Sequence, residues 1–257
     1  MIAAMWEQGV EAWPYSERTL FVGGMFVVHG AMFVGCNLIL FLLHHLNLLS
    51  KYKIDSAKFP SGSLLAETVK TIVVNHLVVQ PLLLWYAYIP FKRMGLHVDS
   101  SLPPLSEVAF HLAVAVVVNE TLFYFAHRAL HTKALYKAIH KQHHRYYASV
   151  GIASEFAHPV EDLLANAIPT LAGMLLVGPH LATLLLWMAI RMLETIDAHS
   201  GYAFPFSPFH IFGVSDHHWF HHSANVGCYG TFTSFWDRVL GTDAAFRAHK
   251  ERKAHKE

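Results

Sequence analysis

Long apolar runs, broken at wide intervals by single polar residues, divide the chain. The first extends from Leu20 to Leu49, interrupted by His29, Asn37, His44, His45 and Asn47. It is long enough to cross a hydrocarbon layer about 30 Å thick with some tilt. Lys51, Lys53 and Lys58 follow it. The second run spans Leu64 to Pro90, with Glu67 and Lys70 near its start and Trp85, Tyr86 and Tyr88 near its end. Aromatic residues so placed form an interface belt. A proline-bearing loop, Lys92 to Pro104, leads to a third run, Leu105 to Ala126, which is rich in valine and carries Glu120 at mid-depth. Two shorter runs, Leu163 to Val177 and Leu181 to Ile196, flank Gly178-Pro179. Each is near or below the ~17-residue minimum for a span. They predict a tightly turned helical hairpin, short for a complete crossing.

The pattern predicts an all-α integral membrane helical bundle of about three spans plus the hairpin. It divides into an N-terminal segment (1–19), three transmembrane helices (20–126), a histidine-rich region (127–243) containing the hairpin (163–196), and a basic tail (244–257). All belong to a single membrane domain, 1–257. Composition agrees: 54% of residues are hydrophobic and 14% charged, against about 25% charged in an average soluble domain. Lys and Arg cluster after the first run, through 127–145 and in the tail, so the positive-inside rule places these segments on the cytosolic side. Glu7, Glu11 and Glu17, with no basic n-region, argue against a signal peptide. The 19 basic and 18 acidic residues nearly cancel, which excludes a nucleic-acid partner. Cys36 and Cys228 form no disulfide framework.

Histidine is the anomaly. There are 21, and 13 of them lie between His127 and His222. Histidine is the commonest metal-binding side chain. Three boxes stand out: His127-Arg-Ala-Leu-His131, His140-Lys-Gln-His143-His144 and His218-Trp-Phe-His221-His222. On a helix, positions i, i+3 and i+4 share a face, so each box can aim its imidazoles at one place. Eight imidazoles exceed the four to six ligands of one ion and fit two ions held close together. All-imidazole sites suit iron, zinc, copper or nickel, and oxidation of a lipid selects iron because zinc cannot activate dioxygen.

His199, returned by the hairpin, is expected as a ninth ligand. His158, in Glu155-Phe-Ala-His-Pro, is read as ligand, supporting residue or substrate-side wall. Glu120 lies two turns before His127 on the same face and either accepts a ligand N–H or pairs structurally. Glu194, Asp216 and His217, with Asp197 and Asp237, are further supporting candidates. His29, His44, His45, His76, His97, His111, His180 and His210 match no spacing and are expected in interfacial or hydrogen-bonded roles; His249 and His255 are expected in solvent. A carboxylate-bridged di-iron bundle needs paired Glu-x-x-His motifs, and only Glu155–His158 fits. A zinc hydrolase wants His-Glu-x-x-His, which is absent. A metal transporter wants ligands at the bilayer midplane, whereas the boxes fall at one membrane face.

The boxes, with Phe123-Tyr-Phe-Ala-His-Arg-Ala-Leu-His131, Leu135-Tyr-Lys-Ala-Ile-His-Lys-Gln-His-His144, Glu155-Phe-Ala-His-Pro-Val-Glu161, Ile196-Asp-Ala-His-Ser-Gly-Tyr202, His217-His-Trp-Phe-His-His222 and Trp236-Asp-Arg-Val-Leu-Gly-Thr-Asp243, resemble the fatty acid hydroxylase/sterol desaturase superfamily of membrane di-iron enzymes. The resemblance covers roughly Tyr52 to Asp243 and is nearest to the sterol C4-methyl oxidases (methylsterol monooxygenases). Two positions depart from that pattern: Trp219 stands where aspartate is usual, and Cys228 where asparagine is. The resemblance implies a helical bundle with a cytosolic, histidine-rich di-metal cap in the endoplasmic reticulum. It implies two Fe ions, O2 as co-substrate, and electrons from NAD(P)H through a reductase and a separate cytochrome b5, since the chain has no His-Pro-Gly-Gly haem motif. The expected reaction inserts oxygen into an unactivated C–H bond of a lipid at a sterol C4 methyl. Fatty-acyl hydroxylation, sterol C5 desaturation and squalene epoxidation remain alternatives. Phe123, Tyr124, Phe156, Trp187 and Trp219 are candidates for the wall of a substrate channel, with packing against other helices the alternative for each.

Overall fold

The computed structural model describes residues 1–54, 60 and 62–255; Lys58 and the last two residues of the basic tail lie outside the described residues. The N-terminal segment holds a helix, α1 (Ile2–Glu11). The Trp6 indole donates to the Asp99 carbonyl at 2.9 Å, which docks α1 on the 94–104 loop. After Pro14, the Ser16 hydroxyl accepts from the Thr19 amide and caps α2 (Glu17–His45). A second long helix, α3 (Gly62–Arg93), carries a π-helical stretch at Asn75–Val79. Then come α4 (Leu105–Leu130) and α5 (Pro159–Val177). By length and composition, these four helices among the described residues can cross a membrane. Their surfaces agree: α2 exposes Val27, Val34, Leu38, Ile39, Phe41 and Leu42, side chains that lipid rather than water can solvate.

The predicted hairpin is present, and its first arm is longer than the hydropathy pattern implied. Counted from Pro159, α5 has 19 residues, because Pro159 at the helix start and the π-helical stretch Asp162–Ala167 bring the polar residues Glu161, Asp162 and Asn166 into the helix. Gly178 ends α5 in the left-handed region (φ 58°), the conformation that favours glycine. Pro179 then leads into α6 (Leu181–Ala198).

The bundle closes by tight packing of α5 on α4. A Cβ at Gly173 would lie 2.6 Å from the Ala115 Cα, so only glycine permits this approach. α6 packs along α2, with Trp187 fully buried and stacked on Phe232. As a result α4 ends, α5 begins and α6 ends at one extremity of the bundle. The remaining elements gather there: α7 (Val214–Ala224), α8 (Phe235–Leu240) and α9 (Ala244–Ala254). The described part of the tail is therefore helical rather than loose. Phe246 packs on Phe220, and Lys250 pairs with Asp216 at 2.7 Å. His249, expected in solvent, packs on Phe220 instead.

Candidate metal centre

Nine histidines meet at this extremity in two groups. His127, His131, His140, His144 and His221 form one; His143, His199, His218 and His222 form the other. Within each group the candidate ligand atoms lie within 4.8 Å of one another. His131 and His144 are half-buried and the other seven are buried.

The boxes do not map one to a group. Box three lies on α7, a regular helix, where His218 and His222 enter the group of four while His221 turns into the group of five. Residues one apart on a helix differ by about 100°, so adjacent His221 and His222 address different places. Box two does the mirror image: His140 and His144 join the five, His143 the four. It achieves this without a regular helix, contrary to the expected single face. A π-helical turn (Tyr136–His140), two turn residues and a 3-10 turn (His143–Arg145) carry it. Two boxes thus straddle both groups and lock them together.

Hydrogen bonds fix the state of five of the nine rings. His127 Nδ1 donates to the Tyr229 carbonyl (3.1 Å), His221 Nδ1 to Gly227 (2.6 Å), His222 Nδ1 to Tyr146 (2.9 Å) and His199 Nδ1 to Thr195 (2.7 Å). His140 Nδ1 donates to the Glu161 carboxylate at 2.8 Å. With Nδ1 protonated, the lone pair sits on Nε2. Four of those Nε2 atoms face the Nε2 of a further ring: His221 faces His131 and His144 at 3.1 Å each, His140 faces His144 at 3.1 Å, and His199 and His222 face His218 at 2.9 and 3.1 Å. When both rings of such a pair turn lone pairs inward, as ligation requires, they repel unless a cation lies between them. Nitrogens about 2.1 Å from one ion stand about 3.0 Å apart at right angles and about 3.4 Å apart in a tetrahedron. The residues present therefore fit a bound metal ion in each group.

Burial also keeps the imidazoles neutral, as ligation requires. It pulls His143 down to about 4 and His199 to about 3, and, with His127 and His143 adding to it, His131 to about 2. His140, His144, His218, His221 and His222 are shifted the same way, first by burial and then by their neighbours.

A loop after α7 supplies two of the accepting carbonyls. Asn225, Gly227 and Cys228 all have positive φ (53°, 62° and 58°), and a Cβ at Gly227 would collide with the Thr242 carbonyl. Buried Asp237 clamps the loop by accepting from the Tyr229 amide (2.9 Å), the Gly230 amide (2.7 Å) and the Thr242 hydroxyl (2.6 Å). Asp237 thereby sets the Gly227 and Tyr229 carbonyls to which His221 and His127 donate.

The other candidates separate. Glu120 accepts from the Thr233 amide and hydroxyl and bonds no imidazole. Glu194 pairs with Arg191 and accepts from Thr231. Asp216 faces Lys250 at the surface, and Asp197 accepts from Ser215. His217 lies 3.7 Å from Asp237 and outside both groups. His158 caps the start of α5, its Nδ1 accepting from the Val160 amide, and joins neither group. Trp219 faces α9, beside His249, one step round α7 from His218. Tyr124, Phe156 and Trp187 are fully buried packing residues, Phe123 meets His127 edge to face, and neither these nor Trp219 line the cavity of about 340 Å³ within the bundle. Glu161 was missed, although the sequence offered a signal: an acid opening an apolar helix. A third group, His29, His76 and Glu155, was also missed.

Residues 112–242 match the fatty acid hydroxylase family profile. Relatives extend over nearly the whole chain. A very-long-chain aldehyde decarbonylase of Oryza sativa subsp. japonica is 38% identical over 250 residues, covering 93% of this chain and 92% of its own. Methylsterol monooxygenase 2-2 of Arabidopsis thaliana is 35% identical over 242 residues, covering 92% and 90%. The C-4 methylsterol oxidase of Candida albicans is 33% identical over 249 residues, covering 93% and 80%. No solved structure matches the chain. The histidine geometry and these relatives agree, and the chain belongs to the fatty acid hydroxylase family.

Proposed function

We propose that the chain is a di-iron oxygenase that oxidises the C4 methyl group of a sterol. The observation that carries this reading is the convergence of ring nitrogens from nine histidines into a group of five and a group of four. His127, His131, His140, His144 and His221 hold one ion in it; His143, His199, His218 and His222 hold the other. Bound iron supplies the redox chemistry that activates dioxygen. The chain's own residues do the rest. The accepting carbonyls and Glu161 keep each donor ring turned inward, burial keeps water out, and the cavity presents a C–H bond of an apolar substrate. Electrons reach the centre from NAD(P)H through an external reductase and cytochrome b5. The histidine boxes face the cytosol from the endoplasmic reticulum membrane, as the distribution of basic residues favours.

A second reading, conversion of a very-long-chain aldehyde, is favoured by the 38% identity to the rice proteins of that name. One experiment separates the two. Iron-loaded protein receives oxygen, NADPH, reductase and cytochrome b5, with either a 4,4-dimethylsterol or a long-chain aldehyde. The sterol reading expects a hydroxylated C4 methyl, lost in His143→Ala and His221→Ala. Turnover that survives chelation or anaerobiosis overturns the oxygenase; aldehyde consumption with an untouched sterol replaces the substrate.

A further inference from the structure

The cavity of about 340 Å³ lies between α2, α3, α5 and α6. Its two ends differ in chemistry. Leu83, Ala87, Pro90, Phe91 and Leu175 wall one end; His29, Gln80, Glu155, Asp162 and Asn166 wall the other. The polar end is the one nearer the histidine centre. Glu155 closes the 3-10 segment Gly151–Glu155 that follows box two, and Thr195, also in the cavity wall, gives its carbonyl to His199. A ligand lying in this cavity therefore directs its polar group toward the metal centre.

That polar end is preassembled. The Glu155 carboxylate spans two imidazoles: Oε1 lies 3.2 Å from His29 Nε2, and Oε2 bonds His76 Nε2. His76 sits in the π-helical stretch Asn75–Val79 of α3, an irregularity frequent at functional sites. The Gln80 amide nitrogen lies 3.4 Å from His29 Nε2. This group differs from the two histidine groups. There, ring nitrogens face one another; here, His76 Nε2 hydrogen-bonds Glu155 Oε2, while His29 Nε2 accepts from the Gln80 amide and so leaves Glu155 Oε1 without a donor. Glu155 Oε1 is buried and makes no hydrogen bond. An ionised carboxylate only accepts, so a buried one without a donor carries an unmet demand. Asp162 adds a second carboxylate at the same end, while Arg191, in the wall, is already bound to Glu194 and Thr231. An anionic head group would meet repulsion there, and an aldehyde or ketone brings no donor.

We infer that the Glu155–His29–His76 bracket binds a hydroxyl group of the lipid substrate. The hydroxyl donates to Glu155 Oε1, and the apolar body extends toward Phe91 and Leu175. This deepens the lipid-oxidation reading and rests on it for the class of ligand. It narrows the substrate to neutral lipid alcohols whose hydroxyl lies close to the carbon that is oxidised.

The test is equilibrium binding to metal-loaded protein in lipid nanodiscs, with probes that differ only in the polar group. Cholesterol should bind at least about tenfold tighter than 5-cholestene, which lacks the hydroxyl, as expected for a hydrogen bond to a charged group. 1-Octadecanol should bind tighter than octadecanoate. Glu155→Leu should bring the cholesterol preference close to one, with 5-cholestene affinity and two metal ions per chain unchanged. Should Glu155→Leu fail to fold, Glu155→Gln decides: it keeps the shape and must cut the preference about threefold or more. Equal affinities in the unmodified protein, a preference that survives both variants, or tighter octadecanoate binding overturns the inference. So does a third metal ion per chain that Glu155→Leu removes. Because the readout is binding, a protein that shows the preference but oxidises no lipid loses only the oxygenase reading.

Discussion

At the residue scale, the centre depends on what stands behind its ligands. Among the described residues, Glu161 is the one carboxylate that bonds a ring of the nine, His140, and both are buried. Glu161→Gln keeps the shape but weakens the acceptor. Losing such a partner costs 10–100-fold in metal affinity, so the ion in the group of five should bind about tenfold more weakly in a chelator competition. Unchanged affinity would show that the ring needs no support. Cys228 makes a different prediction. It holds a left-handed backbone conformation (φ 58°) that costs a residue with a Cβ about 1–2 kcal/mol and that asparagine tolerates. Burial, with Asp237 and Asp243 adding to it, pushes its thiol up, so the thiolate is scarce even at pH 8.5. Iodoacetamide should leave Cys228 unlabelled in folded protein and label it after denaturation, as read by peptide mass spectrometry. Rapid labelling of the folded state would contradict the burial. The histidines themselves were legible because their spacing repeats. Glu161 stands 21 residues from its partner His140, a separation without periodic meaning, and the Gly227, Tyr229, Tyr146 and Thr195 acceptors are backbone carbonyls that no side-chain pattern reveals.

At the element scale, the division of labour within the boxes was the hidden part. Spacing alone makes i, i+3 and i+4 look like one face, but an i+3 and an i+4 residue differ by about 100°. α7 uses that difference to serve both groups, and box two reaches the same result through π and 3-10 turns that hydropathy does not encode. The long helices were legible because lipid demands apolar length. The shorter α1 and α9 were not, since their docking through Trp6 and Phe246 is tertiary. The interleaving predicts an ion-by-ion response. His221→Ala should remove or weaken the ion of the five, and His222→Ala that of the four, each leaving about one ion per chain by elemental analysis. His127→Ala combined with His221→Ala should add little further loss, whereas His221→Ala with His222→Ala should empty both sites, because only residues sharing a site couple strongly. Identical losses from every single substitution would mean that the nine histidines act as one indivisible site.

At the scale of the whole molecule, the histidine centre ties together segments that the apolar bundle leaves to themselves. It joins the end of α4, the 136–145 turns, the end of α6 and α7. The cap's apolar cluster of Tyr146, Ala153 and Phe156 is smaller than the core around Trp187, and imidazole lone pairs turned inward gain nothing without a cation. A bound metal would therefore act as a folding ligand for the cap, while lipid and helix packing hold the spans. A ligand present at 1,000 times its Kd stabilises by about 4 kcal/mol, and each kcal/mol moves the midpoint by about 2–4 °C in a chain near this size. Stripping the ions with a chelator should lower Tm by on the order of 10 °C, while far-UV circular dichroism at 20 °C retains most of the helix signal. Adding back either iron or zinc should restore the Tm, because both accept imidazole. Only iron should restore oxygen-dependent turnover, since zinc has no redox chemistry. A chelator-treated protein with an unshifted Tm would separate the histidines from the stability of the cap; zinc-supported turnover would replace oxygen activation with Lewis-acid chemistry.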